Sequence, residues 1–324
     1  MGWWQVSADT LAGSRFVVSP LAETIAALKA LEQGTAAYPS EREWLDAHLP
    51  AYRERLADDP VTALTIRAAL GARTRWNADY LTPTPDHGGD ATFEEELAAV
   101  RETPPEAARE HLTVSLGGPL PPELHRSDLP ERTAGLLEWV WTRAVLPSWP
   151  RRRRIIEADV VARTAQLTRG GWARALDDMR PGMRWLGGSR LQINARDYPP
   201  RDLGTARLMF VPVTPRTGWV SWDDAGRRFA VVYPCSGALV EAGGAAPEAL
   251  ARLLGPGRAS VLVLLGSPKS TTQLVALTGQ GLGSVGRHLK VLLDARLVGR
   301  RRAGRSVLYY RTAAGDVLVA AQRD

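Results

Sequence analysis

The chain has 324 residues, of which 44% are hydrophobic and 23% charged, as in an ordinary globular protein. No apolar run approaches the roughly 20 residues that a bilayer span requires, and the start, MGWWQVSADT, has no signal-peptide pattern. The single cysteine, Cys235, cannot form an internal disulfide, and the five histidines are scattered without metal-binding spacing. We therefore expect a cytoplasmic protein that needs no membrane, no metal and no cofactor.

Charge is distributed unevenly along the chain. Residues 1–150 carry 13 Lys and Arg against 22 Asp and Glu, whereas residues 251–324 carry 12 against 3. Such asymmetry favours a polyanion-binding module joined to a module of another kind. A basic face that is merely solvated is the alternative interpretation.

The first 180 residues have mainly helical periodicity. In SRFVVSPLAETIAALKAL a short strand leads to a Ser-Pro helix start, and Leu21, Ile25, Leu28 and Leu31 follow at the spacing of an amphipathic helix. Further helical patterns are separated by the Pro-rich and Gly-rich breaks LTPTPDHGGD and SLGGPLPPELHRSDLP.

Short aromatic and β-branched segments follow, namely MRWLGGSRLQIN, ARLMFVPV, GWVSWDD and RRFAVVYP. They predict strands of an antiparallel sheet that covers the helices, and EAGGAAPEA (241–249) predicts a domain junction. The fold class is therefore α+β: a mostly helical N-terminal domain with an antiparallel sheet over residues 1–244, then a C-terminal winged helix-turn-helix over residues 245–324.

The prediction for the second domain comes from local patterns. PEALARLLGPGRASVLVLLGSP predicts one or two helices, and Ser270 with Gln273 three positions later is a capping-box pattern that starts another. After the Gly-rich turn TGQGLG, one buried helical stripe is predicted from Val285, Leu289, Leu292 and Leu293. LVGRRRAGRSVLYYRT then predicts a basic hairpin with Gly304 in its turn. This order of elements is that of a winged helix-turn-helix.

The glycines of the turn allow a rival interpretation. Gly281, Gly283 and Gly286 spell G-x-G-x-x-G, the outline of a dinucleotide-binding loop, if QLVAL just upstream is a strand. That fold needs an acidic residue about 20 positions on, where this chain has RRRAGRS, and only 38 residues follow Gly286. We therefore favour a DNA-recognition helix over a nicotinamide enzyme.

The DNA contacts are predicted from the usual docking of such a motif, with the second helix in the major groove. Arg287 is placed to contact guanine or phosphate, and the arginines of the wing to neutralise phosphates or enter the minor groove. The predicted DNA-binding residues are Ser270, Thr271, Thr272, Gln280, Leu282, Ser284, Arg287, His288, Lys290, Arg300, Arg301, Arg302 and Arg305.

The segment STTQLVAL…SVGRHLKVLLDARLVGRRRAGRSVLYYRT resembles the ArsR-type winged-helix repressors over about 75 residues. Gly286 stands where that family usually has a serine, and Ala295-Arg296 where it has a small residue and glycine. The family's metal-sensing helix carries cysteines, and here it reads TTQLVAL, so the resemblance implies DNA binding without metal sensing. FVVSPLAE, DYLTPTP and WPRRRRIIEADV are similar to bacterial regulators that join an uncharacterised N-terminal domain to this motif.

The role of the N-terminal region stays open at this point. Clustered tryptophans indicate either an aromatic pocket for a small molecule or ordinary core packing, and Arg151 to Arg154 indicate either a DNA contact or a solvated helix start. No catalytic constellation is present in the sequence, and Cys235 as an electrophile sensor is a minor alternative. We expect a homodimeric, non-enzymatic transcriptional regulator that binds double-stranded DNA and is controlled by a small-molecule effector. The resemblance implies a repressor. The alternative is a sequence-tolerant architectural DNA binder.

Overall fold

The computed structural model describes residues 2–36, 39–71, 74–86, 91–177, 179–194, 199–235, 246–266, 268–303 and 306–321. It is a mixed helix and strand structure, 56% helical with small sheets, consistent with the α+β class. The chain forms two compact units: the N-terminal unit, residues 1–149 and 169–234, and the C-terminal unit, residues 150–168 and 235–324. The boundary that we predicted at 244/245 lies outside the described residues.

The N-terminal unit holds most of the helices. They are α1 (Ala8–Ala12), α2 (Pro20–Gln33), α3 (Pro39–Ala57), α4 (Pro60–Ala69), α5 (Phe93–Arg101), α6 (Pro105–Leu116), α7 (Leu129–Val140) and α8 (Trp149–Leu176), of which residues 150–168 belong to the C-terminal unit. The strands are β1 (Trp3–Gln5), β2 (Arg15–Phe16), β3 (Arg184–Gly187), β4 (Arg190–Gln192), β5 (Arg201–Asp202), β6 (Arg207–Val213), β7 (Trp219–Asp223) and β8 (Arg228–Pro234).

Helix α2 begins where the Ser-Pro pattern predicted. The Ser19 hydroxyl accepts a hydrogen bond from the Ala22 amide, and Pro20 occupies the first turn. The helix is buried almost all round, however, so the prediction of an amphipathic helix is wrong. Even Glu23 is buried, where its carboxylate accepts hydrogen bonds from the amide and hydroxyl of Thr214.

The strands form two mixed sheets, so the prediction of an antiparallel sheet is wrong. One sheet has the order β3-β4-β1-β5 and the other β2-β6-β8-β7. Strands β6 and β8 pair in parallel along their whole length, from Arg207 opposite Arg228 to Val213 opposite Pro234. The physical reason is burial on both faces, because a strand covered on both sides reads as a continuous apolar run, as LMFVPV and FAVVY do.

The second of these sheets separates two hydrophobic cores. Side chains that alternate along β6 belong to different cores. Met209 and Val211 pack with the helices α2 to α7, whereas Leu208 and Phe210 pack with Trp4 and the sheet β3-β4-β1-β5. Residues of β7 and β8 in this sheet, Trp219 and Arg228 among them, line a cavity of the unit.

The C-terminal unit contains the remaining elements. They are α9 (Glu248–Leu254), α10 (Pro256–Leu264), β9 (Lys269–Ser270), α11 (Thr271–Thr278), α12 (Leu282–Asp294), β10 (Val298–Ala303), β11 (Ser306–Arg311) and α13 (Ala313–Ala320). Strands β10 and β11 form the predicted antiparallel hairpin, and β9 adds a third strand against β11 that the sequence analysis did not identify. The predicted turn residues Gly304 and Arg305 lie outside the described residues.

Candidate nucleic-acid interface

Helix α11 starts at the predicted capping box. The Gln273 amide donates to the Ser270 hydroxyl over 3.3 Å, and the Ser270 amide donates to the Gln273 side chain over 2.9 Å. QLVAL is therefore helical, whereas a dinucleotide-binding loop at Gly281 requires a strand before it. The helix ends at Gly279, which adopts the left-handed conformation with a φ of 66° and turns the chain toward α12.

Helix α12 has one buried face and one exposed face. Val285, Leu289 and Leu292 are buried as predicted, and Leu293 is half-buried. This stripe packs against α10 and α11 and fixes the rotation of the helix. This packing therefore determines which face of α12 is exposed.

That exposed face carries the positive side chains. Arg287 and Lys290 lie three residues apart and are exposed, next to the exposed glycines Gly283 and Gly286. Apart from the backbone of α12 itself and the neighbouring residues, no atom of the described residues lies within 4 Å of the position that a Cβ would take on either glycine. The backbone of the first turns of α12 is thus accessible to a large partner.

His288 turns away from this face toward α10. A Cβ built on Gly257 would lie 2.5 Å from His288 Nε2, and the Ser284 hydroxyl is 3.4 Å from the same nitrogen. Burial, and then the charges of Arg258 and Arg287, lower the pKa of His288 below its ordinary value. The imidazole is therefore neutral at pH 7 and contributes packing at this point, not a positive charge.

Of the remaining helix residues in the predicted interface, some form hydrogen bonds within the motif and others are exposed. The Ser284 hydroxyl donates to the Gln280 side chain over 3.3 Å, so these two residues brace the turn before α12. Leu282, at the start of α12, is 65% exposed. The half-buried residues of the predicted set are Ser270, Thr271, Gln280, Ser284 and His288, and the exposed ones are Thr272, Leu282, Arg287, Lys290, Arg300, Arg301 and Arg302.

The hairpin presents its arginines on both faces. Arg300 pairs across from Tyr309 and Arg302 from Val307, which places these two arginines on one face, whereas Arg301 pairs with Leu308 on the other. Tyr309 and Tyr310 on β11 are both half-buried. The Tyr310 ring covers Gly299, where an added Cβ would meet ring atoms at 2.7 Å.

Two basic features lie near this motif, and the sequence pointed only to the second, the arginine run of residues 151–154. Lys269 on β9 is buried, and burial together with the Arg311 charge lowers its pKa to about 8. Arg154 of α8 places its Cδ 3.7 Å from the position of a Cβ on Gly279, so the arginine run of residues 151–154 reaches the turn between α11 and α12. Contacts between segments so distant in the chain leave no local signal.

The predicted tryptophan clusters have different environments. Trp141 is buried and stacks on Phe93 with ring centroids 4.7 Å apart, and Trp149 packs edge-on against it, so this cluster is core. Trp219 and Trp222 line a cavity of about 590 Å³ in the N-terminal unit. Cys235 is buried, which does not suit a reactive sensor thiol.

Among the residues that the structure describes, no group of three or more His, Cys, Asp or Glu could hold a metal ion. The described helices also include none that is both long and apolar enough to cross a bilayer. Comparison of the chain with protein-family models, with curated proteins and with solved structures gave no match.

Proposed function

We propose that the C-terminal unit is a winged helix-turn-helix that binds duplex DNA, with α12 in the major groove and the β10–β11 hairpin against the phosphates. The observation that carries the proposal is the exposed face of α12, where Arg287 and Lys290 flank accessible backbone at Gly283 and Gly286. The N-terminus of a helix attracts phosphate, and arginine is suited to bidentate contact with guanine.

Electrostatics support the same assignment. The C-terminal unit carries 17 Lys and Arg against 7 Asp and Glu, a balance of +10, whereas the N-terminal unit carries 24 against 28, a balance of −4. Positive charge is therefore concentrated on the unit that holds the helix and the hairpin. Release of counterions from DNA by such a surface makes binding strongly dependent on salt.

The experiment that tests the proposal measures binding of the full-length chain to DNA that it selects from genomic fragments, over a range of salt concentrations. Replacing Arg287 and Arg302 together with alanine removes two predicted contacts and is expected to lower the slope of log K against log salt by about two. Arg252→Ala, on the exposed side of α9, is the matched control and leaves the slope unchanged. Equal slopes for the double variant and the control would contradict the proposed interface.

Within this proposal the protein is a transcriptional repressor, and the cavity of about 590 Å³ that Trp219 and Trp222 line binds its effector. An architectural DNA binder differs from it in selectivity alone. Competition with random-sequence duplex distinguishes the two, because a regulator is expected to prefer its selected site by about 10³-fold or more.

A further inference from the structure

The N-terminal unit contains a second, basic recess beside Trp219. It consists of a small cavity of about 140 Å³ and an adjoining one of about 460 Å³, which share Lys29, Arg75, Asn77 and Gly218 in their walls. Arg180 lines the smaller cavity, and Arg67 the larger one.

Two cations, Lys29 and Arg180, line the smaller cavity, and neither forms an ion pair with a carboxylate of the residues that the structure describes. The Lys29 ammonium donates to the Asn77 side-chain oxygen over 3.0 Å and lies 5.4 Å above the Trp219 ring. Within the described part of the chain, the buried Nη1 of Arg180 has no hydrogen-bond partner. Burial lowers the pKa of Arg180 to about 10, and burial with the Arg180 charge lowers that of Lys29 to about 8.

Of the described carboxylates in the walls, Glu32 and Asp79, neither forms an ion pair with Lys29 or Arg180. Glu32 accepts a hydrogen bond from the Tyr52 hydroxyl over 2.6 Å. Burial raises the pKa of Asp79, which disfavours the charged form of this carboxyl group. A guanidinium nitrogen that is buried without a hydrogen-bond acceptor, with a like charge beside it, is costly to the fold unless an anion completes the site.

We propose that this recess binds a small organic anion whose carboxylate or phosphate group is held by Lys29, Arg180 and Asn77. A water occupies about 30 Å³, so the smaller cavity has room for such a group, and the larger one for the rest of the molecule. Guanidinium and ammonium donors to an oxyanion form the stronger class of hydrogen bonds. This proposal does not depend on DNA binding, so the failure of either proposal leaves the other unaffected.

The test is isothermal titration of the full-length chain with inorganic phosphate, phenyl phosphate and benzoate, each against sodium chloride of equal ionic strength. At least one of these probes is expected to bind, and the preferred probe distinguishes a phosphate from a carboxylate ligand. Benzylamine, which reverses the charge, is expected not to bind.

Arg180→Met and Lys29→Met are each expected to weaken binding about tenfold or more, because each removes a charged hydrogen bond. Arg184→Met, on the exposed side of β3, is the control and retains binding. Without ligand, Arg180→Met is also expected to raise the Tm, since it removes an uncompensated buried charge, and a merely structural arginine would have the opposite effect.

If none of the anions binds to the wild-type chain, or if both variants bind as it does, the proposal is wrong. Should Arg180→Met fail to fold, the arginine is structural and Lys29→Met decides the question of binding alone.

Discussion

Arg296 adopts the left-handed conformation, with a φ of 57°, directly after α12 and its C-cap Ala295. Its amide donates to the Leu293 carbonyl and the next amide to that of Leu292, the bonding that closes a helix end. Glycine adopts this conformation without strain, whereas arginine does not. Arg296→Gly is therefore expected to raise the free energy of unfolding by about 1 kcal/mol in urea denaturation.

Ala295→Gly is the matched control for that substitution. Ala295 has ordinary helical angles, with a φ of −74°, so glycine there only adds freedom to the unfolded chain and is expected to lower stability. A lower stability for both variants would show that the backbone at Arg296 is not strained.

Glu96 is a second residue with a measurable consequence. Its carboxylate accepts hydrogen bonds from the Ser19 hydroxyl and the Leu21 amide at the start of α2, and burial raises its pKa from 4.5 to about 7. The folded chain thus binds a proton that the unfolded chain releases between about pH 4.5 and 7, so stability falls as pH rises through this range, by about 3 kcal/mol at most.

Glu96→Gln is expected to flatten this dependence, as measured by urea denaturation at pH 5, 6, 7 and 8. Glu102→Gln, at an exposed position after α5, is expected to keep the wild-type profile. The same profile in all three proteins would rule out Glu96 as its source.

At the scale of the element, α12 carries glycines that its own packing does not require. Gly283 and Gly286 are exposed with open space around them, and alanine in a helix is more stable than glycine by about 1 kcal/mol at each position. Gly283→Ala and Gly286→Ala are therefore expected to raise the Tm. If DNA approaches this backbone closely, the added methyl groups also weaken binding.

Gly135→Ala in α7 makes the matched comparison, since this helical glycine also has open space around it but lies in the N-terminal unit. It is expected to raise the Tm without changing DNA affinity. Unchanged affinity for the α12 variants, measured by fluorescence anisotropy, would contradict close approach at these glycines.

The elements that sequence predicts well are those set by nearby residues. The Ser270–Gln273 capping box and the stripe of Val285, Leu289 and Leu292 depend on neighbours within one or two turns, and the structure confirms them. The parallel pairing of β6 with β8 depends on which distant strand lies beside which, and we predicted it wrongly. Lys29 and Arg180 likewise line the same cavity because of tertiary packing, and no sequence motif predicts this.

At the scale of the whole molecule, two-fold symmetric recognition is the expected use of a winged helix. The chain has a mass of 35.3 kDa, so sedimentation equilibrium is expected to give about twice that value for the protein and for its complex with one selected duplex. Recognition sequences related by a two-fold axis, with half-sites about one helical turn apart, are the corresponding expectation for the DNA. A monomer at micromolar concentration, bound to an asymmetric sequence, would contradict both.

The C-terminal unit is made from two separate stretches, residues 150–168 and 235–324, with the whole of 169–234 folded elsewhere between them. A gene fragment that begins after residue 235 therefore encodes only part of this unit and omits the arginine run that reaches the turn at Gly279. Grafting the unit onto another protein requires both stretches to be carried across. Recombination that exchanges one contiguous gene segment therefore preserves this unit only when the segment spans both stretches.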